Sequence, residues 1–121
     1  MAFVVVAEPP EQFNTWLANQ RRPAPQPVSA TQQRGQQVFL TRTCVMCHQI
    51  RGTVAGAQTA PDLTHLASRQ SIAAGTLANT RENLRGWVMN SQHYKPGNRM
   101  PAHQLNEADL NALLDYLESL Q

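Results

Sequence analysis

Cys44-Val45-Met46-Cys47-His48 decides how this chain is read. Two thiols separated by two residues can each add across one vinyl group of a haem. A histidine directly after the second thiol is then held beneath the iron as its proximal ligand. C-x-x-C-H at this spacing is the attachment signature of a c-type haem. The chain has two cysteines, both in this motif. A structural zinc needs four ligands, and no second C-x-x-C or H-x-x-x-H is present to complete the set. A thioredoxin-type dithiol expects a βαβ setting, which the helical periodicities flanking the motif do not supply.

The bulk numbers agree with a small haem domain. A chain of 121 residues suits one domain of modest core plus an appendage. With 41% hydrophobic and 15% charged residues, it is not disordered by composition. Its ten Lys and Arg are scattered, without a basic stripe or aromatic stacking platform, which argues against nucleic acid as a partner. The longest apolar run, which includes Phe3 to Ala7, is far short of a bilayer span and lacks the basic flank of a signal peptide.

Working outward from the motif, Ser29-Ala30-Thr31-Gln32 is a capping box that opens a helix carrying Gly35, Val38 and Phe39 toward Cys44. Before it, residues 21–28 form a Pro-rich extended linker. Residues 1–20 read as a strand, Phe3-Val4-Val5-Val6, and then a helix. Pro9-Pro10 suit that helix's first turn, and Phe13, Trp16 and Leu17 form its apolar face. On the other side of the motif, Arg51 to Pro61 reads as loop, followed by a short helical piece at Leu63–Ala67. Thr80 caps a helix through about Asn90, with Leu84, Trp87 and Val88 on one face. His93 to Pro101 is loop, broken by Pro96-Gly97 and Pro101. Asn106 caps a last helix whose stripe is Leu110, Leu113, Leu114, Leu117 and Leu120. No segment outside residues 3–6 reads as a strand. The expectation is an all-α domain over 29–121.

With His48 on one side of the iron, the opposite position falls to Met100, in Lys95-Pro96-Gly97-Asn98-Arg99-Met100-Pro101, about fifty residues later. Thioether sulfur is soft and favours ferrous iron, so His/Met ligation raises the reduction potential. A closed, six-coordinate iron suits electron transfer rather than substrate binding. Met46 is locked inside the attachment loop, and Met89 lies on a helix beside Trp87. His65, His93 and His103 are the competitors, since a second imidazole would give a lower-potential centre.

These residues together resemble a class I cytochrome c. The match rests on Cys44–His48, Ala60-Pro61-Asp62-Leu63, Arg69, the Lys95–Pro101 loop, and Gly35 and Phe39 on the first helix facing Leu113 and Tyr116 on the last. The resemblance implies a single covalently attached haem c, bound through Cys44 and Cys47 with His48 and Met100 on the iron. It implies that the first and last helices cross nearly at right angles. It further implies that the Pro61 carbonyl accepts the Nδ1 proton of His48, a supporting role typical of ligating histidines. By the same resemblance Arg69 lies near a haem propionate and Trp87 packs close to the ring. The exposed haem edge would be framed by Val45, Met46, Ala102 and the Lys95–Met100 loop.

Residues Phe3 to Leu17 resemble the end of subunit II of haem–copper oxidases, where the last cupredoxin strand runs into a helix; in caa3-type oxidases a cytochrome c domain follows. That resemblance divides the chain into 1–20, the end of a copper A (cupredoxin) domain; 21–28, a linker; and 29–121, a cytochrome c domain. It implies copper A in an upstream domain and partnership with that domain and with subunit I. The electron donor would be a cytochrome c or a quinol-oxidising complex. Thioether attachment in this family takes place outside the cytoplasm. The expected location is therefore the periplasm or outer face of a bacterial plasma membrane, with anchoring through upstream helices and no direct insertion of this part. Two other readings stay open: a haem module of a dehydrogenase or peroxidase, and a stand-alone soluble carrier.

Overall fold

The computed structural model describes residues 5–121. Four α-helices carry it: α1 (Pro10–Arg21), α2 (Ala30–Thr41), α3 (Arg81–Tyr94) and α4 (Glu107–Glu118). Each of the last three starts where a short polar side chain accepts a backbone N–H at its N-terminus. Ser29 accepts from Gln32, whose own side chain reaches back to the Ser29 N–H; Thr80 accepts from Asn83 and Asn106 from Asp109. These caps satisfy donors that the first helical turn leaves unpaired. Helix α1 starts instead on Pro10, whose missing N–H costs nothing there.

Helices α2 and α4 pack against each other to form the centre of the molecule. Gly35 makes their approach possible. A Cβ at this position would lie 2.0 Å from the Ala112 carbonyl oxygen and 2.7 Å from Tyr116 Cβ, so any side chain would push the helices apart. Phe39 and Tyr116 meet beside this contact with ring centroids 6.4 Å apart, tilted by 59°, a favourable aromatic geometry. Leu110, Leu113, Leu114, Leu117 and Leu120 are all buried, as their spacing predicts for one face of a helix. Leu84 and Val88 bring α3 onto the same core.

Two expectations need correction. Of the strand expected at Phe3–Val6, Phe3 and Val4 lie outside the described residues, while Val5 and Val6 form no strand and are exposed. A β-branched run has no ladder without a neighbouring strand. A small antiparallel hairpin does form elsewhere, β1 (Ser71–Ile72) with β2 (Leu77–Ala78). Its turn uses left-handed backbone at Ala73, Ala74 and Gly75, a conformation the two alanines did not advertise. The Pro-rich linker also makes contacts its sequence did not foretell. Ala24 is buried, its N–H donates to the Arg51 carbonyl at 2.8 Å, and Pro23 lies against Gly52. Arg51 Nη2 donates back to the Gln20 carbonyl at 2.5 Å, and buried His65 donates from Nε2 to the Arg22 carbonyl at 3.2 Å. Residues 20–24 are thus a strap fastened to the loop after the motif. Among the described residues no helix is long and apolar enough to cross a membrane.

Candidate haem site

Helix α2 ends at Thr41, and a 3-10 turn over Thr43–Met46 carries the first thiol. The motif folds onto itself: the Cys44 carbonyl accepts the N–H groups of Cys47, at 3.2 Å, and of His48, at 3.0 Å. A second clasp comes from the loop ahead. The Cys47 carbonyl accepts the Ala60 N–H at 2.9 Å and the Thr59 hydroxyl at 3.3 Å. The two cysteines are not paired in a disulfide, and Cys44 is half-buried while Cys47 is exposed. Burial pushes the Cys44 thiol above its ordinary pKa.

His48 Nδ1 lies 2.8 Å from the Pro61 carbonyl oxygen. A carbonyl can only accept, so Nδ1 carries the proton, which in the neutral imidazole leaves Nε2 as the acceptor. The neighbouring residue is itself secured. Partial burial raises the Asp62 carboxyl, but hydrogen bonds from the Thr64 hydroxyl and N–H, with Arg51 and Arg69 nearby, outweigh it and hold Asp62 below its ordinary value. Arg69 donates to the Asp62 carbonyl, and Arg51 Nε lies 3.4 Å from the Asp62 carboxylate. The strap, Arg51, Asp62 and the His48–Pro61 pair are therefore one connected assembly.

A cavity of about 500 Å³ opens beside the motif, within the range of roughly 300–1,000 Å³ common for ligand and cofactor sites. Its walls combine Val38, Cys44, Val45, Met46, Val88 and Leu105 with the polar Thr41, Arg42, Thr43 and Gln104. Ala102, expected at the haem edge with Val45 and Met46, lies on the same wall. Cys47, His48, Pro61, Trp87 and Met100 do not line this cavity, which opens on the Cys44 side. Trp87 is half-buried against the core, and Met100 is half-buried at the end of its loop.

The three competing histidines separate clearly. His65 is buried and committed to the strap. His93 is exposed, with its ring edge-on to Tyr94 at 5.1 Å. His103 is half-buried on the cavity wall, and burial together with the nearby His48 holds it below its ordinary pKa. What the sequence reading missed is the side-chain network around Met100 from Ser91, Gln92 and Asn98. A cluster of three amide or hydroxyl residues within ten positions of the methionine is the only signal that could have pointed to it.

Comparison with known proteins places this geometry. The cytochrome c family model matches residues 32–121. Over its whole length the chain is 34% identical to part of cytochrome c oxidase subunit 2 of Alkalihalophilus pseudofirmus. It is 28% identical to that subunit of Bacillus subtilis, and 32% identical to that of Bacillus sp. strain PS3. In each case it spans 35% of the relative's length. A cytochrome c domain implies a covalently bound haem c, and the two cysteines at C-x-x-C-H spacing and an imidazole with Nδ1 already engaged by the Pro61 carbonyl suit one. The motif, the α2–α4 pair closed over Gly35 and the match over residues 32–121 together establish that this chain belongs to the cytochrome c family.

Proposed function

We propose that residues 29–121 form a monohaem electron-transfer domain fused behind the copper A domain of a caa3-type oxidase subunit II. Residues 1–20 would be the end of the copper domain and 21–28 the connection. Cys44 and Cys47 hold the haem covalently, and His48 and Met100 ligate the iron. The observation that carries the reading is the His48–Pro61 hydrogen bond, which engages Nδ1 and leaves Nε2 available to ligate a metal. Similarity over the full chain to subunit 2 of three oxidases supports the larger setting.

When bound, the haem supplies a one-electron couple; the protein supplies ligation, low dielectric and an exposed edge. Pro61 fixes the tautomer and orientation of His48. Val38, Val88 and Leu105, on the cavity wall, would shield one face of the haem from water. Arg69, which donates to the Asp62 carbonyl, would meet a propionate. Met46, 69% exposed, offers an apolar contact for an electron donor. The donor would be a soluble cytochrome c or a quinol-oxidising complex, and the acceptor copper A, next to subunit I. The domain would work on the outer face of a bacterial plasma membrane, its anchor lying in upstream helices.

Rapid mixing of the oxidised full-length oxidase with a reduced donor tests this reading. The expected result is that the haem of this domain is reduced first and copper A follows. Reduction of copper A at an unchanged rate in a Cys44→Ala, Cys47→Ala double variant would refute it.

A further inference from the structure

We propose that Ser91, Gln92 and Asn98 act as a clamp that positions Met100 and keeps the sixth coordination site closed. The proposal rests on Met100 being the iron's second axial ligand. Helix α3 breaks at Asn90, whose φ of −153° and ψ of 75° are extended rather than helical, and resumes for one more turn. The residues after the break turn toward the loop that carries the methionine. Ser91 is fully buried and donates its hydroxyl to the Met100 carbonyl at 2.7 Å. Gln92 Nε2 donates to the same carbonyl at 3.2 Å and to the Asn98 carbonyl at 2.8 Å, while its Oε1 accepts the Gly97 N–H at 3.0 Å. Asn98 Oδ1 accepts the Met100 N–H at 2.8 Å, and its Nδ2 donates to the Lys95 carbonyl at 2.7 Å.

Both backbone groups of Met100 are therefore held by side chains. A loop interrupted by two prolines and a glycine has no backbone ladder to stiffen it, so its polar groups must find partners elsewhere. A buried serine hydroxyl with a carbonyl partner is costly to leave unmade. The clamp fixes the start of the methionine side chain, so the sulfur arrives at one place instead of searching for it. Each such bond shifts an equilibrium by roughly two- to twelvefold. The equilibrium at stake is the opening of the iron–thioether bond, which any external ligand must wait for or exploit.

Imidazole binding to the ferric holoprotein reads that opening directly. Ser91→Ala and Gln92→Leu are each expected to tighten apparent imidazole binding roughly three- to tenfold. The weak long-wavelength band of thioether-ligated ferric haem should melt well below overall unfolding in both. Arg34→Ala is the control: it removes an ion pair to Asp109 between α2 and α4, remote from the loop, and should leave imidazole affinity unchanged. If Ser91→Ala does not mature, Gln92→Leu, on a partly exposed side chain, carries the test. Parent affinity and parent melting of the band in both variants would overturn the clamp while leaving Met100 as ligand. So would an equal tightening in Arg34→Ala, which would mean general loosening. A parent protein without the band, with imidazole affinity unmoved by Met100→Ala, would overturn the ligation reading and the clamp with it.

Discussion

Gly35→Ala tests the packing on which the whole site stands. By helix propensity alone the change should stabilise α2, because Gly is about 0.8–1.0 kcal/mol worse than Ala inside a helix. The structure reverses the sign. The new Cβ would sit 2.0 Å from the Ala112 carbonyl oxygen, 2.6 Å from its carbon and 2.7 Å from Tyr116 Cβ. These are backbone and Cβ atoms that cannot rotate away, so α2 and α4 must part by more than an ångström. That separation would strip contact from the Phe39–Tyr116 pair and from Leu113. Overpacking of this kind costs about 3 kcal/mol at the upper end of its usual range, leaving a net loss of about 2 kcal/mol after the propensity gain. For a domain of this size the midpoint should fall by about 8 °C. The assay is thermal and denaturant unfolding of the haem-loaded protein, followed by far-ultraviolet circular dichroism. Gly56→Ala, with open space around the new methyl, serves as the neutral control. A Gly35→Ala protein as stable as the parent, or more so, would refute the close approach of the two helices.

Other consequences are as concrete. Ser29→Ala removes the acceptor for the Gln32 N–H and should cost about 1 kcal/mol in denaturant unfolding. Arg51→Met should unfasten the strap, and limited trypsin digestion should then cut the Arg21–Arg22 bond several-fold faster than in the parent. The Asp62 carboxyl has its folded pKa below the ordinary 3.8. Its contribution is therefore complete above that value and lost as pH falls through the lower folded one. Acid unfolding of Asp62→Asn should lack that part of the pH dependence; an unchanged profile would contradict the assignment. If Val45, Met46 and Ala102 frame the haem edge as proposed, the rate of reduction by a donor should change little between low and high salt. A steep fall would show that charges such as Arg42, on the same wall, govern docking.

What the sequence made legible was local. The caps at Ser29, Thr80 and Asn106 depend on residues three apart, and the helices start where those side chains fall. The leucine stripe of α4 needs only helical periodicity. The break at Asn90 coincides with the expected end of α3, although one more turn follows it. The strap was not legible, because Ala24 bonds to Arg51 and Arg22 to His65 across more than twenty residues of intervening chain. Nor was the hairpin at Ser71–Ala78, whose turn lacks the Asn-Gly signal that usually marks one. The Ser91–Gln92–Asn98 network escaped for another reason: amide and hydroxyl side chains are common in loops, and nothing in their order names the carbonyl they hold. Gly86 belongs with these, since Tyr94 lies over it where a Cβ would meet the phenol oxygen at 2.1 Å.

The most direct test of the central claim is the optical spectrum of the haem-loaded protein, ferric and ferrous, compared with Met100→Ala and His103→Ala. The account predicts a low-spin spectrum with the weak long-wavelength band of a thioether ligand, lost in Met100→Ala and kept in His103→Ala. A high-spin spectrum, carbon monoxide binding to the untreated ferrous protein, or a low-spin spectrum that changes only in His103→Ala would contradict it.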